Sequence, residues 1–232
     1  MGAVFYHQGH LAEAKAAYEK AIKLFPEFAL AHYNLGALFY YDLDFDAEAE
    51  KEFRETVRIA PGFAAAHAHL GLILCDKKDF DDAEDELLEA LELDDDLWLA
   101  HLGLGYLYSE LGDASRDEIS YKDAVNHLDK AIEKSLRDKT SRTYIDTEVL
   151  WSYIYGIRGY VNGQLGLYKE ARADFINAIK SNPKDLKNKR NLRRVDELLK
   201  QRRVPHIVSI FTIILGVASF LTFIISFQSC PN

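Results

Sequence analysis

Small and bulky apolar side chains alternate with polar ones along most of the chain, at spacings of three and four residues that predict amphipathic helices. An alanine recurs five times, and a bulky residue follows it four positions later each time. The alanines are Ala14, Ala49, Ala83, Ala124 and Ala171, and the bulky residues are Tyr18, Phe53, Leu87, Leu128 and Phe175. Residues four apart share one face of a helix, so each pair marks the buried face of a predicted helix.

A glycine series marks a second predicted helix ahead of each of these. Its members are Gly2, Gly36, Gly71, Gly105 and Gly159. The glycine intervals are 34, 35, 34 and 54 residues, the alanine intervals are 35, 34, 41 and 47, and insertions of one, seven and thirteen residues reconcile the two series. The pattern therefore predicts a stack of helix pairs with a period of about 34 residues.

The ends of the predicted helices are marked in the sequence as well. Pro26, Pro61 and Pro183 follow three of the second helices, where a proline stops a helix. The two longer insertions, at 114–120 and near 137–150, are predicted to be loops on the repeat scaffold.

The repeated segments resemble the tetratricopeptide (TPR) family over about residues 1–185. AHYNLGALFY, AHAHLGLILC and AHLGLGYLY carry the first-helix motif, and FDAEAEKEF, FDDAEDELLEA and YKEARADFINA carry the second. The resemblance implies an all-α solenoid of about five units, of which the first is truncated. Met1 falls at the seventh residue of a unit, so we expect a truncated or wrongly assigned start or a preceding segment. Departures from the family pattern are His32, His67, His101, Asp95, Arg158 and Asn162.

In the family, the first helices line a concave groove that binds partners. The resemblance places these residues in the groove: Tyr6, Tyr33, Asn34, Tyr40, Tyr41, His69, Leu72, Tyr106, Tyr153, Tyr160 and Gln164. Seven of them are tyrosines, which combine large contact area with a polar tip and are enriched at interfaces. The alternative is that some of these side chains pack between neighbouring helices.

Two further segments follow the repeats. Residues 186–203 are predicted to form a basic capping helix with an apolar inner stripe made of Leu186, Leu192, Val195, Leu198 and Leu199. Residues 204–232 hold no Asp, Glu, Lys or Arg, and 207–227 are 21 nearly unbroken apolar positions. As a helix this stretch would be about 31 Å long, which matches the bilayer core. We therefore expect a single-pass tail anchor with the repeats on the cytoplasmic side, since basic residues precede the span.

Small and hydroxyl side chains within the predicted span lie on one helix face. They are Ser209, Thr212, Gly216, Ser219 and Ser226. Such a face can pack against another membrane helix, which would make a homo-oligomer or a membrane complex. The alternative is that these residues are ordinary constituents of a membrane helix.

Charge narrows the classes of partner. The net charge is −9, but residues 184–203 carry nine basic and three acidic side chains, which leaves −15 on the rest of the chain. An acidic array is not suited to nucleic acid. Docking of chaperone C-terminal tails is also disfavoured, because the positions that would hold the carboxylate include Asn34 but no cation.

No motif for chemistry emerges from the sequence. His32, His67 and His101 recur one repeat apart, on the order of 10 Å, which is too far for shared metal ligation, and we interpret them as packing residues. The acidic run from Asp42 lacks the glycine and the bidentate glutamate of a calcium loop. With neither a phosphate loop nor a nucleophile elbow, we expect no enzyme, no cofactor and no metal.

The sequence leaves three functional interpretations. The leading one is a membrane-anchored adaptor or scaffold that binds a protein or peptide through its groove. The second is a structural subunit or assembly factor of a membrane complex, in which the anchor makes the contacts. The third is the regulatory fragment of a larger enzyme.

Overall fold

Helix pairs follow one another along the chain in the computed structural model, which describes residues 1–43, 45–137 and 147–201. The helices are α1 (Gly2–His7), α2 (Leu11–Leu24), α3 (Ala29–Asp42), α4 (Asp46–Ile59), α5 (Ala64–Lys77), α6 (Phe80–Leu93), α7 (Trp98–Ser115), α8 (Glu118–Arg137), α9 (Thr147–Gln164), α10 (Tyr168–Ser181) and α11 (186–201). Over these residues the predicted all-α array of stacked helix pairs is confirmed.

The glycine series packs against the bulky series inside each pair. The contacts are Gly2 with Tyr18, Gly36 with Phe53, Gly71 with Leu87, Gly105 with Leu128 and Gly159 with Phe175. A Cβ atom on Gly71 would come within 2.5 Å of Cγ of Leu87, so the two helices can approach only because that atom is missing. All five alanines of the second series are fully buried at the same interfaces.

The second helices end as the sequence predicts. α2, α4 and α10 each end two residues before Pro26, Pro61 or Pro183. α6 ends at the same point although Asp95 stands in place of the proline. Proline is therefore not needed to end the helix at this position of the repeat.

A left-handed residue lies two positions before the second helix in four of the units. It is glycine at Gly9 and Gly166, with φ of 77° and 73°, and a side-chain-bearing residue at Lys78 and Arg116, with φ of 66° and 53°. This backbone conformation strains residues that carry a Cβ atom.

The predicted loop at 114–120 is wrong. α7 has 18 residues and α8 has 20, whereas α3 to α6 have 14 each, so the added residues mainly lengthen helices. Only residues 116 and 117 lie between the two helices. Of the second insertion, the residues from Thr147 onward belong to α9, and 138–146 lie outside the described residues.

The inner stripe of α11 differs from the prediction at its first member. Leu186 is 76% exposed, whereas Asn188 is 4% exposed and donates hydrogen bonds through Nδ2 to Asp185 and to the carbonyl oxygen of Ser152. From Asn188 the buried face continues through Leu192, Val195 and Leu199, which pack on α10. Since these steps are four, three and four residues, a polar residue takes the first place in the stripe.

No helix among the described residues is long and apolar enough to span a bilayer. The predicted membrane span at 207–227 and its packing face, Ser209 to Ser226, lie outside the described residues.

Candidate functional site

The first helices of successive units pack side by side, α5 on α7 and α7 on α9. Tyr106 on α7 and Tyr153 on α9 come together there, with ring centroids 6.5 Å apart. Tyr153 and Tyr160 are 46% and 36% exposed, and Tyr106 is half-buried. Three of the predicted groove tyrosines therefore lie together on one accessible face.

A cavity of about 320 Å³ opens on this face between α7, α9 and α11. Tyr106, Tyr153 and Tyr160 form part of its wall, with Glu110 and Asp113 from α7 and Lys187 from α11. The volume is near the lower end of the range for ligand pockets. It suits a side chain of a bound polypeptide better than a large molecule.

Carboxylates orient two of the tyrosine hydroxyls. Tyr106 donates a hydrogen bond of 3.0 Å to Oδ1 of Asp76, and Tyr160 donates one of 2.8 Å to Oδ2 of Asp113. Gln164 in turn donates through Nε2 to the Tyr160 hydroxyl at 2.6 Å. Each ring is thus held at both ends, by its helix and by its hydroxyl.

The acidic members of this face were missed by sequence reasoning, although a signal was present. Glu110 and Asp113 follow Tyr106 by four and seven residues, and Asp76 follows His69 by seven. These spacings place each carboxylate on the same helix face as a residue already assigned to the groove.

A second aromatic cluster lies where α3 meets α5, and His69 is at its centre. His69 is only 3% exposed, and its ring stacks on that of Phe53 at 4.8 Å. Its Nδ1 donates to the carbonyl oxygen of Ala65 at 2.7 Å, so Nε2 is free to accept from the Tyr41 hydroxyl at 2.8 Å. The rings of Tyr33 and Tyr40 lie against the imidazole edge to face.

Burial in this cluster controls the protonation of His69. The pKa of His69 is lowered to about 4, because the ring has lost its water, although the hydrogen bond to Ala65 acts in the opposite direction. Burial also raises the pKa of the Tyr41 hydroxyl well above its ordinary value. The sequence placed His69 in the groove, but the structure places it beneath the tyrosines, where it is a neutral acceptor that supports Tyr41.

The remaining predicted groove residues are distributed as follows. Leu72 is buried, at 5% exposure, and packs in the core between the third and later units. Asn34 is half-buried on α3. Tyr6 lies half-buried at the other end of the array, where its hydroxyl bonds Asp42. The structure therefore concentrates the accessible tyrosines at α7 and α9.

The repeated histidines make polar contacts between the two helices of a unit. Nδ1 of His32 lies 2.6 Å from Glu52, and Nδ1 of His67 lies 2.7 Å from Glu86. In both rings Nε2 donates to the carbonyl oxygen of the proline six residues earlier. Both ring nitrogens of His32 and His67 therefore face oxygen atoms of the protein.

The equivalent histidine of the next unit has a different partner. Nδ1 of His101 lies 3.1 Å from Nδ1 of His127, which replaces the glutamate. Burial, and then the neighbouring His127, lower the pKa of His101 to about 4. Two neutral rings fit this geometry, since one Nδ1 must donate its hydrogen to the other.

Arg158 and Asn162, which depart from the family pattern, both bind one buried carboxylate. Arg158 donates to Asp174 through Nε and Nη2, the latter at 2.6 Å, and Asn162 donates through Nδ2 at 2.9 Å. Asp174 is 3% exposed and directly precedes Phe175. The two polar residues of α9 that depart from the family pattern therefore bind a buried carboxylate of α10.

Among residues 1–43, 45–137 and 147–201 no three His, Cys, Asp or Glu side chains are grouped closely enough to hold an ion.

Solved structures of low sequence identity share the fold. PilF of Pseudomonas aeruginosa superposes with a TM-score of 0.63 at 17% identity, covering 87% of this chain and 82% of that one. YrrB, described as a TPR protein with an unusual peptide-binding site, superposes with a TM-score of 0.52 at 18% identity, covering 81% of this chain and 86% of that one.

Sequence comparisons point to the same repeat. TPR repeat-containing protein MJ1428 of Methanocaldococcus jannaschii is 29% identical over 119 residues, which are 50% of this chain but only 18% of that protein's length. A TPR repeat model matches residues 2–42, and tetratricopeptide repeat models match residues 40–97 and 152–185. Together these matches cover more than half of the 232 residues, and the chain is a member of the TPR repeat family.

Proposed function

We propose that this protein is a non-catalytic adaptor that binds a protein or peptide partner along the face lined by α5, α7 and α9. TPR folds bind such partners on the extended surface formed by their stacked repeats. The observation that carries the proposal is the cavity of about 320 Å³ walled by Tyr106, Tyr153 and Tyr160. Partly exposed tyrosines grouped around a cavity favour a binding surface over a solvated one.

The rings on this face are prepared for binding. The hydroxyls of Tyr106 and Tyr160 are held by carboxylates, so a partner meets side chains that have already lost much of their freedom. Prior ordering reduces the entropy cost of association, which is about 0.5–1.5 kcal/mol for each side chain immobilised. The large aromatic area then contributes to affinity.

A photo-crosslinking experiment tests this surface. Replacing Tyr153 with p-benzoylphenylalanine should give one discrete adduct in cells, and Tyr106→Ala in the same protein should remove it. The same photoreactive residue at Glu89, which is exposed on α6, is the matched control. The proposal fails if the two positions give identical adducts, or if neither gives one.

The adaptor is further proposed to be anchored in a membrane by residues 207–227, with its repeats on the cytoplasmic side. The support is in the sequence, where 21 nearly unbroken apolar positions begin four residues after Arg203 and follow the basic residues Lys200, Arg202 and Arg203. Basic residues flank the cytoplasmic end of membrane helices. Alkaline carbonate should leave the full chain in the pellet and release a variant that lacks residues 204–232. Release of the full chain would contradict the anchor.

A structural subunit or assembly factor of a membrane complex is the second candidate. The helical spacing of Ser209, Thr212, Gly216, Ser219 and Ser226 favours it, because such faces pack closely in lipid. Deletion of 204–232 separates the two functions. An adaptor still binds its partner through the groove, whereas the subunit loses it. Gly216→Ile should disrupt self-association only if this face makes the contact.

A further inference from the structure

We propose that the groove recognises a polypeptide segment that places an arginine or lysine side chain in the cavity between Tyr106, Tyr153 and Glu110. The inference rests on the proposed function, since it names the class of partner for the same surface. The tyrosine rings, the hydrogen-bonding character of the wall and its charge each favour this occupant.

The two rings provide faces on which a cation can lie. Tyr106 and Tyr153 are 6.5 Å apart and tilted by 59°, so a long side chain can contact both rings. A cation within about 6 Å of a ring centroid is attracted by the negative face of the ring. Arginine does this most often, because its flat guanidinium stacks and is weakly hydrated.

The polar atoms of the wall mostly accept hydrogen bonds. The hydroxyl hydrogens of Tyr106 and Tyr160 are already donated to Asp76 and Asp113, so both oxygens can only accept further hydrogen bonds, and the Tyr160 oxygen already accepts one from Gln164. Asn188 has its amide engaged by Asp185 and Ser152. A guanidinium offers five donors and an ammonium three, which match these acceptors.

Most of the charged side chains that line the cavity are negative. Glu110, Asp113 and Asp185 contribute carboxylates, and Lys187 contributes the single ammonium among the described lining residues. Asp76 lies immediately beside it, at the Tyr106 hydroxyl.

Within residues 1–43, 45–137 and 147–201, these carboxylates have no ion-pair partner. The ion pairs formed between described residues include none of Glu110, Asp113 and Asp76. An incoming cation is therefore attracted, and an acidic segment is repelled.

Selection from a phage-displayed library of random dodecamers against the full chain in detergent tests the inference. Enrichment of sequences that share an arginine or lysine is the expected result, with loss of those phages on the Tyr153→Ala variant. Sequences that depend on Tyr153 but show no preference for a basic residue would overturn the inference and leave the proposed function standing. Failure to enrich any sequence over the Tyr153→Ala variant would overturn both.

Affinity measurements on a selected peptide make the test quantitative. Replacing its arginine with citrulline removes the charge and keeps the shape, and should weaken binding roughly three- to tenfold by fluorescence anisotropy. Glu110→Gln should weaken the arginine peptide similarly and leave the citrulline peptide unchanged. Glu89→Gln on α6 is the control and should alter neither. Equal affinities for the two peptides would refute the proposal without depending on any protein variant.

Discussion

The hydroxyl of Tyr41 donates a hydrogen bond of 2.8 Å to Nε2 of His69, and this bond joins the first helices of two neighbouring repeat units. It requires a neutral imidazole, because a protonated Nε2 could not accept. The ring of Phe53 stacks on the same histidine, and Tyr33 and Tyr40 enclose it. The junction between α3 and α5 therefore depends on the protonation state of one buried side chain.

Acid should weaken this junction. The pKa of His69 is about 4 in the folded chain, against about 6.5 for an unperturbed histidine. The unfolded chain therefore binds more protons between these values, and stability falls as the pH drops through this window. From pH 7.5 to pH 5 the loss due to His69 is about 2 kcal/mol.

Urea unfolding at the two pH values measures the effect. His69→Gln should be less stable at pH 7.5 but lose less on acidification than the natural chain. His10→Gln, at an exposed position, is the control and should show the full loss. Equal losses in the natural chain and His69→Gln would contradict the assignment.

The buried carboxylate of Asp174 should destabilise the fold when Arg158 is removed. Arg158→Leu leaves it without the cation, and we expect a loss of about 3–5 kcal/mol in the free energy of unfolding. Lys122→Ala removes an exposed pair with Glu118 and should have a much smaller effect, because solvent screens that pair. Thermal unfolding followed by circular dichroism compares the two.

Removal of the whole polar cluster provides a second comparison. The triple variant is Arg158→Leu, Asn162→Leu, Asp174→Ala. Its first two changes introduce leucine, the residue found at the equivalent positions of α5, Leu70 and Leu74. No buried charge is then left unpaired, because Asp129, which also pairs with Arg158, is exposed. Most of the loss caused by Arg158→Leu should therefore be recovered. A triple variant less stable than Arg158→Leu would show that the cluster stabilises the fold beyond compensating its own burial.

Lys78 and Gly166 both have a left-handed backbone conformation, and gaining or losing glycine there should change stability in opposite directions. Lys78→Gly relieves the strain at φ of 66° and should raise stability, while Gly166→Ala introduces strain at φ of 73° and should lower it, each by about 1 kcal/mol. Midpoints of urea unfolding for the two variants measure the changes. A shift of the same sign in both would refute the backbone argument.

Close helix packing should make one glycine intolerant of a methyl group. Gly71→Ala places Cβ 2.5 Å from Leu87 and should cost about 1–3 kcal/mol, because the core must shift. Gly163→Ala, where a Cβ atom meets nothing within 4 Å, should stabilise α9 by up to about 1 kcal/mol. Melting temperatures distinguish the two, and equal shifts would contradict the packing.

The repeat pattern predicted the helix pairs because it is a local property. Small and bulky residues three and four positions apart mark a helix face, and Gly71 and Leu87 recur in register with their counterparts in the other units. The insertion at 114–120 was placed in a loop because a change of interval reports only its length. Whether the added residues continue α7 or leave it depends on what they pack against.

The candidate site could be predicted in part. Tyr106, Tyr153 and Tyr160 were assigned to the groove through the family resemblance, and the structure brings them together around a cavity. His69 was assigned to the same surface but lies beneath it. A repeat position specifies a helix face, whereas exposure depends on how large the side chains of the neighbouring unit are.

The sequence by itself determined the repeat, the helix type and the buried small and bulky residues, because short-range spacing decides which side of a helix is apolar. Only the tertiary structure decided which polar groups meet, such as Tyr41 with His69, Arg158 with Asp174, and Tyr160 with Asp113. These partners lie 16 to 47 residues apart. Their contact depends on the crossing of helices, which no local spacing records.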